Sequence, residues 1–218
     1  MSLLTKSALG FAAAGTTAAG AAYAGGLFDG KVKEKTSISK LLQSLNPEKR
    51  LIMASEGSDP SWKEAWKNYK VKYSGKGLDP LKVLSGKALA SDEAAPADFM
   101  SSCKDLFDVK VVDGKDDSYQ LVLNHCTRLT LVSDWIADRG HELVSQTDGA
   151  DTFAWTSLWK KYKDAGKNVW SVSEYSSHQE VPASFKKKCS DESSVAQGNK
   201  EDPSVENVFL FCSKKKAD

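Results

Sequence analysis

A chain of 218 residues has room for one or two domains and a real core. Its 40% hydrophobic and 27% charged content exclude a disordered chain. The formal net charge is +1, and beyond residue 28 the chain carries 29 basic and 29 acidic residues. A neutral body argues against a nucleic-acid binder, which needs a basic surface to displace counterions, and against polybasic attachment to anionic lipid.

Residues 1–28 stand apart. Ser7 to Phe28 is a run of 22 residues without a charge, mostly Ala and Gly, preceded by Lys6. As a helix that length spans a bilayer core of about 30 Å. The basic flank predicts a cytoplasmic N-terminus and an exterior body. Gly15 and Ala19, and Gly20 and Ala24, have the small-xxx-small spacing of packed membrane helices. Two readings stay open: an uncleaved signal anchor, and a signal peptide cleaved after Ala22-Tyr23-Ala24. Residues 29–35 read as a short charged stalk.

From there the chain repeats itself. Trp62, Trp66, Tyr69 and Lys70 form W-x3-W-x2-YK, and Trp155, Trp159, Tyr162 and Lys163 repeat it 93 residues later. Pro96, Phe99 and Cys103 recur as Pro182, Phe185 and Cys189, 86 residues later. Cys126 and Cys212 each follow their partner cysteine by 23 residues. Three landmark sets in one order indicate a tandem duplication, with units at 36–128 and 129–218.

The first unit opens on Ser37, expected to cap a helix bearing Ile38, Leu41, Leu42 and Leu45 that ends at Asn46-Pro47. The second opens at Val132-Ser133, with Trp135 and Ile136, and stops at Arg139-Gly140. Polar turns, Glu56 to Asp59 and Asp148 to Asp151, introduce the tryptophan helices. Trp62, Trp66, Tyr69 and Tyr73 form one helical stripe, as do Trp155, Leu158, Trp159 and Tyr162. Lys63, Glu64, Lys67, Asn68 and Lys70 are expected on the opposite face. The units differ next: a helix is predicted over Asp79 to Leu89, and a short strand over Asn168 to Val172.

Pro96 and Pro182 each suit the first turn of a helix carrying Phe and then Cys. Polar loops follow, at Asp113 to Asp117 and Ser190 to Pro203. The closing segments, Gln120 to Leu123 and Val208 to Phe211, have strand-like propensity but are expected to be helical like the rest. The fold class expected is mainly α, with minor β: an N-terminal transmembrane helix and two tandem units of about 90 residues.

Four cysteines beyond an export segment, none in C-x-x-C, read as disulfides. A repeat carries its own bridge, so the pairs expected are Cys103–Cys126 and Cys189–Cys212. Four buried thiols are the competing reading, and zinc is disfavoured because the spacing of 23 gives no paired cysteines close in sequence and His125 beside Cys126 points elsewhere on most backbones. The aromatic stripes read as core rather than ligand platforms, because aromatic side chains dominate packing energy. Trp62, Trp66, Tyr69, Trp155, Trp159 and Tyr162 are therefore assigned as a core motif.

No catalytic, cofactor-binding or metal-binding motif is legible. Gly86-Lys87 lacks the flanking residues of a phosphate loop, and His141-Glu142 lacks a second His at Ser145. No G-x-S-x-G occurs. Asp113 to Asp117 does not follow the order of a calcium loop. His125, His141 and His178 are expected to be surface or hydrogen-bonded histidines. The lysine runs 186–188 and 214–216 are expected to be solvated. No enzyme and no cofactor is expected.

Met1 to Lys6 with the Ala/Gly-rich segment, the Trp-x3-Trp-x2-Tyr helix, the repeated C-x22-C units and the stretch Val132 to Trp135 carry a resemblance. They resemble the uncharacterised paralogous families of membrane-anchored proteins in haemotropic mycoplasmas. That resemblance implies an exposed, antigenically variable product and transfers no catalytic residue. The function expected is that of a single-pass cell-membrane protein with an exterior body, antigenic or host-binding, its partners being the membrane and a host cell surface or copies of itself. A self-assembling envelope component is the alternative, and an exported hydrolase the third reading.

Overall fold

The computed structural model describes residues 34–85, 93–176 and 180–216. The segment read as anchor or signal peptide, and His178, lie outside them. No helix among the described residues is long and apolar enough to cross a membrane.

Lys35 to Asp218 form one compact unit. The first repeat runs β1 (Thr36–Ser37), α1 (Ile38–Leu45), β2 (Lys49–Leu51), α2 (Pro60–Tyr73), α3 (Ala97–Phe107), β3 (Lys110–Val111), α4 (Asp117–His125) and β4 (Thr127–Leu129). The second runs α5 (Val132–Asp138), β5 (His141–Leu143), α6 (Thr152–Asp164), α7 (Ala183–Ser193), α8 (Pro203–Cys212) and β6 (Ser213–Lys215). The body is mainly helical. Its strands form two-residue and three-residue antiparallel ladders, β1 with β3, β2 with β4, and β5 with β6. In the second repeat the place of the β1–β3 ladder is held by a single bridge, Leu131 to Ala196. The ladders tie each unit's first helix to its last segments, contacts that no periodicity announces.

The core consists of two separate apolar clusters, one per repeat. Each is built around a tryptophan helix lying across the Phe helix. Trp62 and Trp66 meet Phe99 at ring distances of 6.0 and 5.0 Å; Trp155 and Trp159 meet Phe185 at 6.1 and 4.9 Å. The indole N–H groups are not left unpaired in the core. Trp62 Nε1 donates to the Ala54 carbonyl and Trp155 Nε1 to that of Ser145. Burying so large an aromatic area without an orphaned donor is what makes the motif repeatable.

The disulfides are Cys103–Cys126 and Cys189–Cys212, with no free cysteine. Each joins the Phe helix to the end of the closing helix. Both closing segments are helices, against their strand propensity. Asp116 and Asp202 cap them by accepting from the backbone N–H of Ser118 and Ser204.

Several expectations need correction. Residues 79–85 form turns, not the start of a helix, and Asn168 to Val172 is a turn rather than a strand. Both segments wrap around a tyrosine hydroxyl, as described below. Ser37 occupies the cap position of α1, yet its hydroxyl bonds Ser39 instead of the helix backbone. Pro96 and Pro182 stand at the cap, one residue before their helices, and α7 continues to Ser193 inside the stretch read as loop. Lys70 does not join the solvated face: it is 6% exposed, and its ammonium donates to Glu93, which also accepts from Trp66 Nε1. The His125 ring is neither exposed nor hydrogen-bonded.

Candidate functional site

The residues assigned from sequence converge on the two cores, not on a surface. Trp62, Trp66, Tyr69, Trp155, Trp159 and Tyr162 are each no more than 2% exposed. The four cysteines are likewise buried. Tyr69 and Tyr162 add a polar function to this packing. The Tyr69 hydroxyl donates to Asp79 at 2.6 Å and accepts from the Leu81 backbone N–H at 2.8 Å. The Tyr162 hydroxyl donates to Asn168 at 2.8 Å and accepts from the Trp170 N–H at 3.0 Å. Each hydroxyl folds the loop after its helix back onto the core, so the two dissimilar loops are equivalent. Burial, and then the bond to Asp79, raise the Tyr69 hydroxyl far above its ordinary pKa. Burial alone would raise the Asp79 carboxyl, but the Tyr69 hydroxyl and the Leu84 backbone N–H outweigh it and hold the carboxyl below its usual range.

A groove of about 640 Å³ lies where the repeats meet. Asn68 and Glu64 come from α2, Asn124 from α4, and Arg128 from β4, while Leu131 and Ala196 reach in from the second repeat. Capping puts the wall residues in place. The Asp59 carboxylate accepts from Ser61 N–H and starts α2 at the groove's rim.

The junction itself is polar and directional. Arg128 donates two bonds to the Asp134 carboxylate, at 2.6 and 2.8 Å, and that carboxylate also accepts from the Leu131 N–H. Burial would raise Asp134, but Arg128 and Leu131 keep its pKa below the ordinary value. Arg50 pairs with Asp138 and lies over the Trp135 ring, 4.8 Å from its centroid. Thr130 donates through its backbone N–H to the Glu48 carbonyl and through its hydroxyl to the Pro47 carbonyl. Gln197 N–H donates to the Thr130 carbonyl, and Gly198 fits against the Glu48 side chain, which a Cβ would meet at 3.0 Å. The repeats are thus held by two arginine–carboxylate pairs and a backbone splice, not by a shared apolar core.

The sequence singled out the stretch Val132 to Trp135, but nothing in it marked Asp134 or the other junction residues as partners of one another. Arg128 and Asp134 are six residues apart on different elements, and Arg50 and Asp138 are 88 apart, so no periodic pattern links them. Among the described residues no group of three or more His, Cys, Asp or Glu is placed to hold a metal ion. His141 shares a hydrogen bond with the Ser213 hydroxyl, and Lys214 pairs with Asp151 and Glu142. Comparison with known proteins finds no match to this chain among family models, curated proteins or solved structures.

Proposed function

We propose that this is a membrane-anchored, surface-exposed protein that acts by binding, as an antigenic or host-binding product. The observation that carries this reading is the pair of buried disulfides, one per repeat. Such bonds persist in an oxidising exterior, and the uncharged run from Ser7 to Phe28 supplies a means of export and attachment. The junction groove, with carboxamides from two helices and charges at Glu64 and Arg128, offers a polar recognition surface.

Charge opposes the alternative of head-to-tail self-assembly. The junction joins unlike faces, so a further copy docking the same way would repeat its pairs. Aligning α1 with α5 and β4 with β6 puts Lys40 in the place of Asp134 and Lys214 in that of Arg128. The arginine–carboxylate pair that bonds inside the molecule is replaced by two lysines, one of them already paired with Asp151 and Glu142, so this bridge is not repeated between copies.

The test is to treat intact cells carrying the full chain with a membrane-impermeant amine reagent and trypsin, then map peptides and thiols by mass spectrometry. Labelled, cleavable repeats with both bridges oxidised support the reading. Protected repeats with four free thiols overturn it.

A further inference from the structure

His125 is the last residue of α4 and only 3% exposed, yet neither ring nitrogen has a hydrogen-bond partner. An orphaned buried imidazole is costly and needs a reason. The second repeat supplies a comparison. There the residue preceding the closing cysteine is Phe211, 5% exposed. His125 meets Tyr69 edge-on at 5.3 Å and 89°; Phe211 meets Tyr162 at 5.1 Å and 88°. The packing slot is the same and asks only for an aromatic ring. One repeat fills it with a ring that can take up a proton, the other with a ring that cannot.

We propose that His125 makes the first repeat the acid-sensitive half of the body: protonation of its imidazole loosens α2 from α4, while the second repeat stays closed. From α2 the ring faces Tyr69 and Tyr73, and the Lys72 ammonium lies close enough to disfavour a second positive charge. From α3 the Cys103 sulfur, locked to Cys126, lies 3.8 Å from the His125 carbonyl oxygen. No carboxylate among the described residues pairs with it. A protonated ring would hold two N–H donors with nothing to accept them. Tyr73, which packs on His125, also lines a groove of about 430 Å³ with Lys72, Leu78, Pro80 and Asn124.

The direction follows from linkage. Burial, and then Lys72, lower the His125 pKa from 6.5 to about 4. Between those values the unfolded chain binds a proton that the folded chain refuses. Stability is complete above pH 6.5 and falls as pH drops toward 4. At pH 5 the opening of the first repeat is about 30-fold more populated than at pH 7.5 on this account. This inference does not depend on where the protein resides or what it binds.

The test is hydrogen exchange with mass spectrometry on the full chain in mild detergent at pH 7.5 and 5.0, expressed as protection factors to remove the intrinsic pH dependence. Peptides from α2 and α4 should lose about 30-fold of protection at pH 5, and those from α6 and α8 should not. His125→Phe should abolish the loss, and Phe211→His should transfer it to α6 and α8. Equal loss in both repeats, or loss that survives His125→Phe, overturns the proposal. If His125→Phe does not fold, Phe211→His decides: no new acid sensitivity in the second repeat overturns it.

Discussion

Replacing Tyr69 by Phe removes one oxygen from a site that is fully buried, and the structure sets the cost. The ring still packs on Trp66, Tyr73 and Phe99, so no cavity larger than a hydroxyl is made. The Leu81 N–H loses its acceptor and the Asp79 carboxylate loses its donor. An orphaned buried donor costs about 1–3 kcal/mol, and a hydrogen bond to a charged group contributes about 1.5–3. Asp79 keeps the Leu84 N–H, so the loss expected for Tyr69→Phe is about 2–4 kcal/mol. Tyr162→Phe should cost less, about 1–3 kcal/mol, because its acceptor is the neutral Asn168. Asn168 also closes its own turn, accepting from Val172 N–H and donating to the Val172 carbonyl. Urea unfolding of both variants against the parent, at pH 7.5, measures the difference. In an Asp79→Asn background the Tyr69 substitution should cost less than alone, since the charged partner is gone. A Tyr69→Phe effect within 0.5 kcal/mol of zero, or a larger loss for Tyr162→Phe, would refute the view that these hydroxyls organise the loops.

Other consequences follow from the same contacts. Trp66→Ala or Trp159→Ala should cost about 3–5 kcal/mol and abolish cooperative unfolding; unchanged melting would remove these residues from the core. Replacing either cysteine pair by alanine opens a loop of about 24 residues, so each should cost about 3.4 kcal/mol, equally in the two repeats, when measured by urea unfolding. Gly57→Ala places a Cβ 2.0 Å from the Ala95 carbonyl oxygen, a backbone atom; a loss of about 1–3 kcal/mol or more in thermal melts is expected. Asp134 has a depressed pKa, so the junction's contribution is present above the ordinary carboxylate range and is lost as pH falls through the folded value. Asp134→Asn should remove that step from an acid titration and leave the two cores folded.

The duplication, the pairing of the cysteines and the aromatic stripes were legible in the sequence because each is local or periodic. A tryptophan helix must bury one face, and spacing alone says which side chains share it. The closing helices were expected only because the rest of each unit reads helical; the aspartates that cap them, Asp116 and Asp202, were read as loop, and the structure supplies the caps. The loops after α2 and α6 were misread because their conformation depends on a tyrosine hydroxyl 10 residues away for Asp79 and 6 for Asn168. Propensity has no term for that. Lys70 was placed on the wrong face because its partner, Glu93, lies 23 residues on. His125 was misjudged for the same reason, since burial is a property of everything packed around it.

What the sequence by itself determined is the repeat and the content of each core. Apolar burial is large, non-directional and encoded by residue type, so it survives translation from pattern to fold. The tertiary structure alone decided how the repeats join, which groove results, and which histidine is stranded. Those outcomes rest on arginine–carboxylate pairs, backbone splices and one orphaned ring. Their partners are distant in sequence, and their energies are set by geometry and desolvation rather than by composition.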